Sequence, residues 1–415
     1  MRHHLIPEKH STIILIILSL FATIGPVSID IFTPSLPAIT RYFSTDTATA
    51  QLSVSIFMLG FAISMLICGP LADKFGRKKT LLIGYIIYFL ASLVILNTSN
   101  IYIFLMARFS QATFGCFGTV LARTIARDYY KDQMEVKMLA YISGCLTLGP
   151  MIAPIIGGFL QEYAGWKYNF VVMQVLVVIT IIALHFIPEV HIPKKNQQHQ
   201  DDTSILSSYI TILSDSSYLR FTIAAGTAFA GAFVFVVGAP FVFIDQLGIT
   251  PKYYGMLFAS IIAAYIISTA CVPYLNSRFS RADCLKIAST FLVIGASVSL
   301  ITGYFSHGQS GTGYIAGVII YELGLGIYLP ICQARATEHM KTNIGIASSL
   351  IFFIEMLLVT AITGIVSGLQ IQNINTTSLA LISMITTILS ILCLFSPIPS
   401  TIDESVRRRE TSDAP

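Results

Sequence analysis

The feature that most limits what this chain can fold into is a series of apolar segments, each about as long as a bilayer is thick, repeated from one end to the other. A helix needs roughly 20 mostly apolar residues to cross the hydrocarbon core, because each residue rises only about 1.5 Å. Twelve segments reach that length: 12–36, 49–70, 79–97, 101–124, 137–162, 167–187, 219–245, 253–274, 284–305, 313–334, 343–368 and 376–396. Lipid offers the backbone no hydrogen bonds, so such segments close their own as helices. The expected fold class is an all-α polytopic membrane protein with twelve transmembrane helices. Composition agrees. Charged residues are 11% of the 415, against roughly 25% in soluble proteins. A soluble enzyme or a disordered chain is thereby excluded. The first apolar run follows Arg2 and Lys9, as in a secretory leader, but no small-residue cleavage site ends it, and it reads as a span.

The longest polar stretch, 188–217, holds Lys194, Lys195, Asp201 and Asp202 and falls between the sixth and seventh spans. It divides the chain into an N-terminal half (1–187), a linker (188–217), a C-terminal half (218–396) and a tail (397–415). With the N-terminus inside, 19 basic residues fall in inner segments and three, Arg41, Lys167 and Lys252, in outer loops. Basic residues stay on the cytoplasmic side, so both termini and the linker are expected there. The halves also repeat. Leu71-Ala-Asp73-Lys74-Phe75-Gly76-Arg77 follows the second span, and Leu275-Asn-Ser-Arg278-Phe279-Ser-Arg281 follows the eighth at an offset of 204. Two six-helix halves related by duplication explain both observations.

Little else suggests chemistry. The seven cysteines are scattered among apolar stretches without metal-ligand spacing, so no metal is expected. The sequence has no phosphate-binding Gly-x-x-x-x-Gly-Lys-Ser/Thr loop and no nucleophile–base–acid set, so neither an ATPase nor another enzyme is expected. No basic domain speaks for nucleic acid. No cofactor is implied beyond an ion gradient.

The segment Gly69-Pro-Leu-Ala-Asp73-Lys74-Phe75-Gly76-Arg77-Lys78-Lys79 resembles the loop motif between the second and third helices of the major facilitator superfamily. That resemblance implies a cytoplasmic gate. Gly69 and Gly76 allow close approach and a tight turn. Asp73 faces the positive end of the eleventh helix, near Lys341 to Ile344, and Arg77 pairs with Asp128 below the fourth. Gly149-Pro150-Met-Ile-Ala-Pro154-Ile-Ile-Gly157-Gly158, in the fifth span, resembles the antiporter motif of the drug-exporting branch. Its prolines bend the helix and its glycines admit a neighbour, which in the family is the eighth helix.

Asp30-Ile-Phe-Thr-Pro34-Ser-Leu-Pro37 in the first span, and Gly238-Ala-Pro240-Phe241-Val242 ending the seventh, are similar to Bcr/CflA-type drug-resistance transporters. Arg108 and Gln111 resemble that group's fourth-helix motif, in which an arginine stands near the proton site. Glu322 and Glu355 lie mid-span in the tenth and eleventh helices and are not part of the family pattern. Intramembrane carboxylates are functional candidates by default.

The resemblance implies a monomeric proton/drug antiporter of a bacterial inner membrane, working by alternating access. Asp30, with Arg108 nearby, is expected to carry the proton. Glu322 and Glu355 are expected to make the far wall acidic, suiting cationic amphiphiles. Phe233, Phe235 and Tyr328 are expected as apolar and cation–π contacts. Export of an endogenous siderophore or peptide, and proton-coupled nutrient import, remain as alternative readings.

Overall fold

A computed structural model describes residues 8–187, 202–307, 311–340, 344–368 and 375–396. All regular structure among the described residues is helical. The first span comprises α1 (Glu8–Asp30), a short 3-10 turn at Thr33–Ser35, and α2 (Leu36–Tyr42). Then follow α3 (Thr47–Phe75), α4 (Arg77–Asn97), α5 (Ile101–Gly115), α6 (Phe117–Tyr129), α7 (Asp132–Tyr163) and α8 (Lys167–Ala183). A short α9 (Asp202–Leu213) lies within the polar stretch. The second half holds α10 (Ser216–Pro240), ending in a π turn at Phe241–Gln246, then α11 (Pro251–Arg278), α12 (Arg281–Phe305), α13 (Gly311–Thr337), α14 (Ile344–Gly368) and α15 (Thr376–Phe395). The beginning of the linker up to 201, the tail from 397, and residues 341–343, where Asp73 is expected to face the start of the eleventh span, lie outside the described residues.

Eleven of these elements are long and apolar enough to cross a membrane. The twelfth span is α5 with α6, interrupted at Cys116. The cause is contact with α1. A Cβ on Gly118 would run into the Phe21 carbonyl and the Tyr85 hydroxyl, and one on Gly25 would stand 2.6 Å from the Cys116 sulfur. Pro26 has no N–H and leaves the Ala22 carbonyl without its helical donor. The Thr119 hydroxyl supplies one, at 2.9 Å. The same repair recurs in the second half. Pro330 orphans the Gly326 carbonyl on α13, and Thr269 of α11 donates to it at 3.0 Å.

Two helical bundles result. In the first, α1 packs on α6 and α7, and α4 on α5 and α8; in the second, α13 packs on α11 and α12, and α15 on α10 and α12. The sequence offset is visible in the structure. Helices α3 and α11 begin at 47 and 251, and α4 and α12 at 77 and 281, each pair 204 apart.

The turns after α3, α6, α11 and α13 lie at one end, the basic face. At that face Arg77 pairs with Asp128 and donates to the Thr124 carbonyl at 2.9 Å. Its counterpart by the offset, Arg281, pairs with Glu338 at 2.9 Å. Each pair joins the start of one span to the end of the next, α12 to α13 in the second bundle and α4 to the α5–α6 span in the first.

Contacts between the bundles gather at the opposite face, where α3 meets α14 and α7 meets α11. Ser55 donates to Thr363 at 2.8 Å, Gln51 to the Val237 carbonyl at 3.4 Å, and the Lys252 amide to Glu162 at 3.2 Å. Arg41 and Asp245, themselves 204 residues apart, form an ion pair of 2.8 Å. Among the described residues, every ion pair at the basic face stays within one bundle.

Candidate functional site

Arg108 of α5 is fully buried. Its guanidinium donates to Gln111 Oε1 at 2.9 Å and to the Ser28 carbonyl of α1 at 3.3 Å. The rings of Phe32 and Phe57 flank it, with centroids 4.1 and 4.3 Å away, and Phe170 stands at 5.6 Å. Gln111 donates in turn to Ser92, at 2.6 Å. Ser28 gives its own hydrogen to the Ile24 carbonyl at 2.6 Å, so the Tyr88 hydroxyl, 2.7 Å away, donates to Ser28. Thus a cation is held in the first bundle by neutral oxygens and aromatic faces. Desolvated cation–π contacts of this kind are worth about 2 kcal/mol each.

Asp30 ends α1 and is buried, at 7% exposure. No described residue donates a hydrogen bond to its carboxylate, and no ion pair joins it to Arg108. The arginine instead holds the backbone two residues back, at Ser28. Asp30 and Arg108 therefore share one end of α1 without touching through their charges.

In the second bundle Glu355 of α14 is buried, and both its oxygens accept from Gln333 Nε2 of α13, at 3.0 and 3.1 Å. Glu322, also buried, lies on α13 eleven residues before Gln333, about three turns, and so on the same helix face. No cation pairs with either glutamate among the described residues. The two acids belong to adjacent helices of one bundle, and the Asp30–Arg108 region to the other.

The aromatic candidates separate. Phe233 is half-buried and packs edge-on against Phe229, with centroids 4.9 Å apart. Phe235 is packed among Phe243, Phe258 and Tyr314 in the core of the second bundle. Tyr328 is also core, hydrogen-bonded to Ser390 at 2.9 Å.

In the loop motif, Gly76 adopts φ +88°, a conformation that favours glycine, between α3 and α4. A Cβ on Gly69 would meet nothing within 4 Å, and Asp73 is exposed. In the Pro–Gly segment of α7, consecutive glycines face different neighbours. Gly157 is pressed on the carbonyl of Ile31, just after α1, and Gly158 on the Pro251 carbonyl of α11. Gly255 of α11 answers against the Pro154 carbonyl. Gly149 is looser, 3.0 Å from Val27 Cγ2 for an added Cβ. Pro150 and Pro154 lie inside α7.

Sequence reasoning missed the residues that hold these charges. Phe32, Phe57, Ser28 and Tyr88 are ordinary span residues whose roles depend on tertiary contact. Gln333 carried a signal, as a polar amide inside the tenth span.

Two bundles of transmembrane helices, meeting at one face around buried charges, define a multi-pass membrane transport protein rather than an enzyme. The chain belongs to the Major Facilitator Superfamily, whose model matches residues 16–358. It is 27% identical over 381 residues to the uncharacterized MFS-type transporter YdgK of Bacillus subtilis (strain 168), covering 91% of this chain and 94% of that one. It is 29% identical over 299 residues to a bicyclomycin resistance protein homolog of Haemophilus influenzae, covering 71% and 73%. Among solved structures, a D-xylose-proton symporter superposes with a TM-score of 0.73 at 14% identity, covering 94% of this chain and 98% of that one, a likeness of fold.

Proposed function

We propose that this chain is a proton-coupled exporter of small amphiphilic molecules, drugs among them, acting by alternating access in a bacterial inner membrane. The observation that carries this reading is where the bundles touch. Contacts between them gather at the face opposite the basic one, while each basic-face ion pair stays within its own bundle. Basic residues mark the cytoplasmic side, so the arrangement is closed outside and loads from the cytoplasm. The similarity to a bicyclomycin resistance protein homolog supports drugs as cargo. The resemblance of the Pro–Gly segment of α7 to the antiporter motif of the drug-exporting branch supports export as the direction.

In this reading Asp30 carries the proton. Among the described residues it is the one buried carboxylate of the first bundle, and none of them gives it a countercharge. Its charged form is costly there unless water or a cationic substrate reaches it. Proton arrival from outside and substrate arrival from the cytoplasm then alternate at one place. Gly69, Asp73, Gly76, Arg77 and Asp128 form the cytoplasmic gate, and Gly149, Pro150, Pro154, Gly157 and Gly158 the outer hinge. A single chain contains both halves of the site, so a monomer suffices.

The test is Asp30→Asn in a pump-deficient host and in proteoliposomes. The host is expected to become drug-susceptible, and adding drug to the vesicles to release no protons. Full drug-driven proton release by this variant overturns the assignment.

A further inference from the structure

Away from the bundle interface, α12 and α15 leave an outward-facing groove of about 330 Å³ near the basic face. Lys286, Ser289, Thr290 and Val293 line it from α12, recurring at three- and four-residue spacing on one side of the helix, and Ile391 and Phe395 line it from α15. Lys286 stands near the start of α12, and Phe395 is the last residue of α15, so the polar end lies toward the basic face. From Lys286 to Ile294, the last α12 residue of the lining, is eight residues, about 12 Å of helix.

The polar groups at this end are not used up by the protein. Thr290 folds its hydroxyl back onto the Lys286 carbonyl at 2.9 Å, as a serine or threonine in an apolar helix ordinarily does. Ser289, its neighbour, does not. It is 6% exposed, lines the groove, and its hydroxyl has no partner. The Lys286 ammonium reaches Asp283 at 3.2 Å, which occupies one of its three donors. Asp283 is the acid that opposes an anion here, and it also accepts from Ser280 at 2.7 Å. Arg281, at the helix start, adds a further positive charge, balanced by Glu338.

We propose that this groove binds one phospholipid with an anionic headgroup from the leaflet at the basic face. The phosphodiester accepts from Lys286 and from Ser289, whose buried and unpartnered hydroxyl turns toward the groove to donate, and the glycerol and first chain carbons lie along Val293, Ile391 and Phe395. A hydroxyl donor and an ammonium at one end of an apolar trough suit this amphiphile. A zwitterionic headgroup would bring a second cation toward Lys286 and Arg281. Near a membrane surface each lysine contributes about 1 kcal/mol to such an interaction, roughly a fivefold change in affinity.

The test is native mass spectrometry of the full chain released from detergent with phosphatidylglycerol or phosphatidylcholine. The wild type is expected to keep one phosphatidylglycerol, about fivefold or more in preference to phosphatidylcholine. Lys286→Gln is expected to lose that preference, and Lys286→Arg to keep it. Val293→Trp, which fills the trough, is expected to lose the bound lipid while eluting as a monodisperse protein. Equal retention of the two lipids by the wild type overturns the proposal. So does undiminished phosphatidylglycerol binding in Val293→Trp. The readout does not involve transport, so it stands or falls separately from the exporter reading.

Discussion

The hydroxyl of Thr119 on α6 donates to the Ala22 carbonyl of α1, the carbonyl that Pro26 leaves without a donor. Inside a membrane such a bond is worth about 0.6 to 1.7 kcal/mol. Thr119→Val is expected to lower the thermal stability of the detergent-solubilised protein by an amount in that range. Restoring the helical donor with Pro26→Ala makes the hydroxyl redundant. The double variant is expected to lose less than the sum of the single changes, as read from a double-mutant cycle of melting temperatures.

Glycines on one helix differ sharply in what surrounds them. A methyl group on Gly158 meets the Pro251 carbonyl, whereas one on Gly144, also in α7, meets nothing within 4 Å. Gly158→Ala is expected to destabilise the protein by about 1–3 kcal/mol, through overpacking where the bundles meet. Gly144→Ala is expected to be neutral or to gain up to about 1 kcal/mol from helix propensity. Thermal unfolding of the two variants side by side checks the contrast.

Arg108 is held by planar contacts that a lysine does not reproduce. Its guanidinium lies between the rings of Phe32 and Phe57 and bonds Gln111 and the Ser28 carbonyl at once. Arg108→Lys keeps the charge but replaces the flat fork with a compact, strongly hydrated ammonium. A loss of about 1–2 kcal/mol in stability is expected, measured by thermal denaturation. A melting temperature equal to that of the wild type would contradict this account of the site.

In the proposed exporter, Glu355 is expected to bear on which cargo is accepted. Its carboxylate is held by a neutral amide, Gln333, and no cation among the described residues pairs with it. Glu355→Gln is expected to reduce export of cationic amphiphiles at least tenfold while leaving neutral ones within about twofold. One such unpaired buried contact is worth about 1.4 kcal/mol or more. Susceptibility to a panel of matched cationic and neutral drugs measures it. Equal losses for both classes would assign Glu355 a structural role.

All twelve spans could be read from hydropathy because each has to cross lipid, and that requirement acts on local sequence. The break in the fourth span could not. It follows from the approach of α1 at Gly25, Gly118 and Thr119, which no single segment encodes. Helix α9 also escaped notice. It is short, sits in a polar stretch, and packs through Tyr209 and Ile212 on the second bundle. At the site, Asp30, Arg108, Glu322 and Glu355 stood out because charge is rare in spans. Their surroundings did not, because Phe32, Phe57 and Phe170 come from three different spans. Phe235 and Tyr328 show the reverse. An aromatic in a span looks alike whether it faces a substrate path or, as here, the core.

The ion pair between Arg41 and Asp245 joins positions separated by the repeat offset of 204. The segments around it, α2 at 36–42 and the π turn at 241–246, also correspond and also touch. A residue that meets its own counterpart lies on the axis relating two copies. Were the halves identical, any charge at this point would meet its like and push this face apart. Opposite charges here are open only to halves joined in one chain and free to diverge in sequence. The pair is thus a mark of asymmetry at a place where two identical halves would have to stay neutral.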